Sequence, residues 1–136
     1  MDLDEARAFL RDHHRGVLVT RRADGRPQLS PVLAALDGDG RVAISTRETA
    51  IKAKNARRDP RVSLCALSDG FFGSWVQVDG RARIESLPGA MEGLVDQYRR
   101  VAGEHPDWDE FRAAMQAERR VVLRIELERA GPDRSG

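Results

Sequence analysis

Ala43-Ile-Ser-Thr-Arg-Glu-Thr-Ala-Ile-Lys-Ala-Lys-Asn55 is the stretch on which the fold turns. An apolar run with strand character ends in Ser45, Thr46 and Arg47. A helix then opens near Thr49 and carries Lys52, Lys54 and Asn55 in its first turns. Thr49 is the expected N-cap, and the N–H groups of the first turn have no intrahelical partners. Those donors and the positive end of the helix dipole favour a phosphate or a carboxylate. Arg47 and Lys52 add charge, while Ser45 and Thr46 add hydroxyl donors. A strand that runs directly into such a helix start makes an anion cradle beside a sheet.

On the N-terminal side, Leu3, Ala6, Phe9 and Leu10 recur at helical spacing. Gly16-Val-Leu-Val-Thr20 is β-prone, and Ala23-Asp-Gly25 signals a hairpin into a second strand, Pro27 to Leu36. The turn Asp37-Gly-Asp-Gly40 then feeds the third strand, Arg41 to Thr46. Its aspartates lack the rest of a calcium-loop pattern. Beyond the opening stretch, Asp59-Pro60 ends the helix, because a residue before proline avoids the α region. Val62–Leu67 and Ser74–Glu85 are the next strands, with a bend expected at Asp79-Gly80. Ser86 and Pro88 start a helix that runs to about Val101, and Gly103-Glu-His-Pro106 breaks it. A shorter helix, Trp108 to Ala117, leads into a last strand, Arg120 to Leu127. The order α-β-β-β-α-β-β-α-α-β, with tight turns between strands, implies antiparallel pairing. The expected fold is α+β, a six-stranded antiparallel barrel with flanking helices. One domain over residues 1–129 and a frayed tail over 130–136 are expected.

The 136 residues fit one domain able to bury its own core. Lys and Arg number 23 against 22 Asp and Glu, which argues against a general nucleic-acid binder. No apolar stretch approaches the roughly 20 residues of a membrane span, and the acidic N-terminus lacks a signal-peptide core. A cytoplasmic protein is expected. The single Cys65, in an apolar run, is expected to be a buried strand cysteine.

The layout resembles the pyridoxamine 5′-phosphate oxidase-like split β-barrel flavoproteins, and within them the branch that uses the deazaflavin coenzyme F420. Four segments carry the resemblance. They are Gly16-Val-Leu-Val-Thr20 with Asp24-Gly-Arg-Pro-Gln-Leu-Ser30; Ser45 through Lys52 to Arg61; Val78-Asp-Gly-Arg-Ala82; and Tyr98 through Gly103-Glu-His-Pro-Asp-Trp108, with Arg119-Arg-Val-Val-Leu123. The Gly-Glu-His-Pro-Asp-Trp segment is the narrowest and points to the F420 branch. The resemblance implies a homodimer with cofactor sites at its interface and a small-molecule acceptor. It implies that Ser45, Thr46, Arg47, Lys52 and Asn55 hold the cofactor phosphate, with Lys54 a weaker candidate. Gln28, Leu29, Ser30, Pro31 and Val32 would lie along the ring system, and Trp75 would come from the partner subunit. Relatives often carry Arg where this chain has Ala50, and the resemblance gives that role to Arg47 here. FMN is the alternative cofactor. A non-enzymatic protein binding F420, haem or another tetrapyrrole is the second alternative. Pyridoxamine 5′-phosphate oxidase activity itself is not expected, because the C-terminal Arg-containing substrate motif is missing.

Each residue also has a plainer reading. Lys52 and Lys54 are two apart and do not share a helix face, whereas Asn55 faces the way of Lys52. Arg57, Arg58 and Arg61 suit a helix C-terminus. Gln28 and Ser30 share one strand face, and Pro31 demands an edge or irregular position, where backbone groups stay free for a ligand. His13 and His14 belong to a helix end, and His105 to loop structure. Trp108, Phe111 and Met115 fall at helical spacing and read as core. No catalytic residue is identified. In such enzymes the cofactor carries the chemistry.

Overall fold

A computed structural model describes residues 1–135. The elements are α1 (Leu3–Asp12), β1 (Arg15–Arg21), β2 (Pro27–Leu36), β3 (Val42–Arg47), α2 (Ile51–Arg58), β4 (Arg61–Leu67), β5 (Ser74–Glu85), α3 (Met91–Ala102), α4 (Trp108–Ala117) and β6 (Arg120–Ser135). Their order is the one expected. The strands close into an antiparallel barrel in the order β1-β2-β3-β6-β5-β4. Alternation along β1 and β4 buries Leu18, Leu64 and Ala66 in the lumen, with Ile44, Val76, Val78, Leu123 and Ile125 from the other strands. A second cluster, Ala43, Leu94, Val95, Phe111 and Val122, glues α3 and α4 to the outside of β3 and β6.

The barrel is closed but unevenly zipped. β2 pairs with β1 from Pro27, opposite Arg21, to Leu33, opposite Arg15, yet meets β3 only over Ala34–Leu36. The other edge of residues 27–33 therefore has no strand beside it. β3 likewise pairs with β6 through Arg47, while Ser45–Arg47 have no β2 partner. Pro31 sits in this half-paired segment, as its missing N–H requires. Near the end of the gap α3 spans it, with Gln97 Nε2 donating to the Leu33 carbonyl at 3.2 Å and Arg100 Nη1 to that of Leu36 at 3.1 Å.

Four expectations are corrected. The N-cap of α2 is Ala50, with no side-chain cap bond, because Thr49 lies inside a turn closed by the Ala50 N–H to the Arg47 carbonyl at 3.0 Å. The third helix begins at Met91, since Ser86–Ala90 form a preceding turn. The last strand does not stop at Leu127, and 130–135 do not fray: β5 is long enough to pair Val78 with Ala130 and Ser74 with Ser135. Residue 136 of the expected tail lies outside the described residues. Cys65 is half-buried rather than buried, because it points to the outer face of β4. The bend expected at Asp79-Gly80 is present as a register shift against β6.

An Asp37–Arg124–Glu85 cluster fastens the β2–β3 turn to β6 and β5. Arg124 reaches Asp37 at 2.6 Å and Glu85 at 2.8 Å. Burial works to raise the Asp37 carboxyl, but N–H groups of Arg41 and Asp39 and the Arg124 guanidinium hold it below the usual carboxylate range. Glu85 is lowered chiefly by its hydrogen bond from Arg124.

Candidate functional site

The gap between β2 and β3 opens into a cavity of about 500 Å³. Pro31, Val32 and Leu33 line it from β2, Ser45 and Thr46 from β3, and Lys52 from α2. The facing wall comes from α3 and α4 through Tyr98, His105, Glu110, Phe111 and Met115. Arg120 enters at the start of β6, after a left-handed residue at Arg119 (φ 53°) turns the chain out of α4.

The cationic corner has a defined chemistry. Lys52 is half-buried, and no carboxylate or hydrogen-bond acceptor among the described residues partners it. Burial, and then the neighbouring Arg120 charge, push its ammonium below the usual lysine range. Arg120 is itself held by Glu118 at 3.0 Å. The Ala50 carbonyl accepts from the N–H groups of Ala53 and Lys54, so the first-turn N–H groups of Ile51 and Lys52 have no helical acceptor. Two cations, two hydroxyls and an uncapped helix start thus meet at one corner, where Lys52 has no counter-ion among the described residues.

The structure brings together Pro31, Val32, Ser45, Thr46 and Lys52 of the residues expected from sequence. Gln28, Leu29 and Ser30 continue along the same free strand edge without lining the cavity. The Ser30 hydroxyl is buried with no hydrogen-bond partner, an orphan polar atom on that edge. Arg47, Lys54, Asn55 and Trp75 are not brought to the cavity. Arg47 is exposed and paired with Glu118 at 3.3 Å. Lys54 faces solvent. Asn55 is buried and turned the other way. It donates to the Thr20 hydroxyl at 3.1 Å and accepts from Arg58 at 2.7 Å, and Thr20 in turn donates to Gln28 Oε1 at 3.2 Å. Trp75 lies on the outer barrel face, opposite Leu67.

Arg120 and His105 are among the cavity residues that sequence alone does not bring to the site. Arg120 lies in a segment that sequence reading assigned to a strand, and only the β3–β6 register, which sets Arg47 opposite Arg120, carries it to the cradle. His105 belongs to the loop between α3 and α4 and also lines the cavity. Its ring sits among Tyr98, Trp108 and Phe111 at centroid distances of 5.1, 5.7 and 5.6 Å. Phe111 and Met115 serve both as core and as cavity wall. Among the described residues no group of His, Cys, Asp and Glu is placed to hold a metal ion.

The outer face of β1, β2 and β4 is apolar and uncovered. Leu29 and Leu33 are 59% and 51% exposed beside Pro31, with Val17, Val19, Cys65 and Leu67 alongside. At the β4–β5 loop Phe71 and Phe72 are exposed and stack edge to face at 4.9 Å.

The family described as "Pyridoxamine 5'-phosphate oxidase" matches residues 3–131. An F420H(2)-dependent biliverdin reductase of Mycobacterium tuberculosis (strain CDC 1551 / Oshkosh) is 31% identical over 127 residues, 93% of this chain and 84% of that protein. The crystal structure of the conserved hypothetical protein Rv2991 from Mycobacterium tuberculosis superposes with a TM-score of 0.76 at 30% identity, covering 96% of this chain and 82% of that one. A solved F420 reductase shares the fold, with a TM-score of 0.70 at 21% identity over 91% of this chain and 94% of its own.

Proposed function

The chain belongs to the pyridoxamine 5′-phosphate oxidase family, and from that membership we propose that it is an oxidoreductase that binds the deazaflavin coenzyme F420 and reduces a conjugated organic acceptor. The observation that carries the reading is Lys52, a half-buried ammonium with no anion of its own, beside Arg120 and an uncapped helix start. A phosphodiester satisfies all three at once: charge for the cations, acceptor oxygens for the N–H and hydroxyl donors. The free edge of β2, with the orphan Ser30 hydroxyl, offers polar groups to the rim of a flat ring system. The residues present therefore fit the cofactor.

When bound in its reduced form, the deazaflavin supplies the hydride. The protein's share is position and electrostatics. Lys52 and Arg120 neutralise the phosphate, and Ser45 and Thr46 orient it. Pro31, Val32 and Leu33 present an apolar strand edge that keeps water from one side of the ring. Phe111 and Met115 exclude it from the α4 side.

A homodimer is part of the same reading. A contiguous apolar surface with half-exposed Leu29 and Leu33 is more than a soluble monomer usually leaves open. It adjoins the cavity at Pro31, so a second copy seated there closes the site from outside. The placement of Trp75 on this face, away from its own cavity, supports its acting on the partner's cofactor.

Titrating the purified protein with F420 tests the reading. Saturable fluorescence quenching at micromolar cofactor is expected, with a colourless protein from a host that lacks F420. No quenching, together with a yellow protein showing a flavin spectrum, would replace F420 by FMN. Haem or another tetrapyrrole bound without turnover of quinones, enones or biliverdin would refute the enzymatic assignment.

A further inference from the structure

We propose that His105 is a substrate-binding residue whose Nε2–H donates a hydrogen bond to a neutral carbonyl oxygen of the acceptor. The inference rests on the cavity being where cofactor and acceptor meet, as proposed above.

The tautomer follows from the backbone. The Asp107 N–H donates to His105 Nδ1 at 2.9 Å. A nitrogen that accepts from an N–H carries a lone pair there, so the single proton of the neutral ring lies on Nε2. Among the described residues no acceptor within the chain takes that proton. The ring is also fixed in direction. Tyr98, Trp108 and Phe111 pack around it, and Asp107, which holds Nδ1, is itself the N-cap of α4, accepting from the Glu110 N–H at 3.1 Å. A donor locked by packing and a backbone bond is preorganised to bind, which a flexible exposed histidine is not.

The charge pattern selects the partner. Lys52 and Arg120 enter from α2 and β6, and take the anionic part of whatever fills the cavity. His105 enters from the α3–α4 side together with Glu110, whose carboxylate has no partner among the described residues. That carboxylate repels a phosphate or a carboxylate from the wall it shares with His105. A neutral oxygen, such as that of a quinone, an enone or a lactam, meets the N–H donor without that repulsion. A donor on such an oxygen also favours the charge that grows on it when the conjugated system accepts hydride. His105 thus separates two jobs within one cavity: the cationic corner anchors the cofactor and the histidine wall orients the acceptor.

The test uses menadione as a neutral carbonyl probe and reads histidine side-chain nitrogens by NMR on the intact protein. His13 and His14, at the end of α1, serve as internal references. With oxidised F420 present, menadione is expected to shift the His105 Nε2 resonance, and inorganic phosphate to leave it unmoved. His105→Phe keeps the aromatic packing and removes both nitrogens. It is expected to weaken menadione binding and lower kcat/KM about 10-fold, equivalent to ~1.4 kcal/mol, with the F420 dissociation constant within twofold of wild type. His105→Gln, whose amide carries an N–H to a similar depth, is expected to recover part of the loss. Menadione binding without a response at Nε2, or His105→Phe behaving as wild type, would overturn the proposal. So would a fivefold weakening of F420 by His105→Phe, which would make His105 a cofactor ligand. If the wild-type protein fails to bind F420 at all, the functional reading falls, and the response of Nε2 to menadione alone still decides the role of His105.

Discussion

Replacing Lys52 by Met separates a binding residue from a structural one, because the two roles predict opposite signs. In the free protein the Lys52 ammonium is half-buried, has no counter-ion and faces the Arg120 charge. Methionine keeps most of the apolar stem and removes the charge. Repulsion between partly exposed like charges is on the order of 1 kcal/mol in a water-like dielectric, so the free protein should gain up to about that much. For a domain of this size that is a rise in Tm of about 3 °C. Cofactor binding should move the other way. A hydrogen bond to a charged group contributes about 1.5–3 kcal/mol, which predicts a loss of roughly 10- to 150-fold in F420 affinity. pH gives a second check. Burial and Arg120 lower the Lys52 pKa from 10.5, so in the free protein the charged form is penalised at neutral pH. That penalty is relieved as pH rises through the lowered pKa and is gone above the unfolded value. A bound phosphate favours the ammonium, so affinity should fall as pH climbs through the free-state pKa, and Lys52→Met should flatten that limb. The assays are a thermal melt of the free protein and a fluorescence titration across pH. A variant that is less stable by more than 1 kcal/mol, or that binds F420 within twofold of wild type, would refute the assignment of Lys52 to the anion.

Four further outcomes are expected. Asn55→Leu removes the bridge between Thr20 and Arg58 and should cost about 1–3 kcal/mol in urea denaturation, with F420 affinity changed no more than threefold. Gly80→Ala places a Cβ against the Glu126 carbonyl oxygen at the β5 register shift, and should destabilise by about 3 kcal/mol or fail to fold, seen as a lowered urea midpoint or loss of soluble protein. Asp37 and Glu85 have lowered pKa values, so their stabilisation is complete above the ordinary values of 3.8 and 4.5 and is lost as pH falls below them. Asp37→Asn should therefore remove about 3 kcal/mol at pH 7 and shrink the acid-side slope of stability against pH. Leu29→Glu with Leu33→Glu puts charge on the uncovered face, and light scattering should report a monomer, against the dimer proposed for the wild type.

What the sequence made legible follows from which forces are local. Turn chemistry at Ala23-Asp-Gly25 and Asp37-Gly-Asp-Gly40, together with apolar alternation, located the strands, because these act over a few residues. Six strands joined by tight turns, with helices at the side, pointed to their closure into a barrel, and the family resemblance agreed with it. Lys52, Ser45 and Thr46 were legible because the strand and helix that carry them are adjacent in the chain. Arg120 and His105 were not, because each reaches the cavity through tertiary placement, one by β3–β6 register and the other by the packing of α4 on α3. Thr49 looked like a cap and is not one, since a tight turn took its place. Arg47, expected at the phosphate, is exposed and paired with Glu118 in the free protein. The terminal residues looked frayed because Gly, Pro and Ser disfavour strands, and twelve residues of β5 nonetheless supply partners for them.

The position of the cavity follows from an imbalance in strand pairing. β1 pairs along its whole length with β2 and over Arg15–Val19 with β4, β5 and β6 share the longest ladder, and β2 meets β3 over only three residue pairs. An unpaired edge in a closed barrel leaves backbone donors and acceptors that something else must satisfy. At Leu33 that something is α3, through Gln97. Farther along, at residues 27–32, the chain supplies no second strand, and the Ser30 hydroxyl has no partner. Extending the β2–β3 ladder would stabilise the free protein and erase the site. The same reasoning applies to Ala50, where a Ser or Asp cap would satisfy the N–H groups that the uncapped start of α2 holds open. At both places the fold leaves local hydrogen-bonding capacity unused, and both places border the cavity that holds the unpaired Lys52. Stability withheld at a strand edge and at a helix start, within one cavity, is what a binding site for a polar, phosphorylated ring compound requires of a barrel.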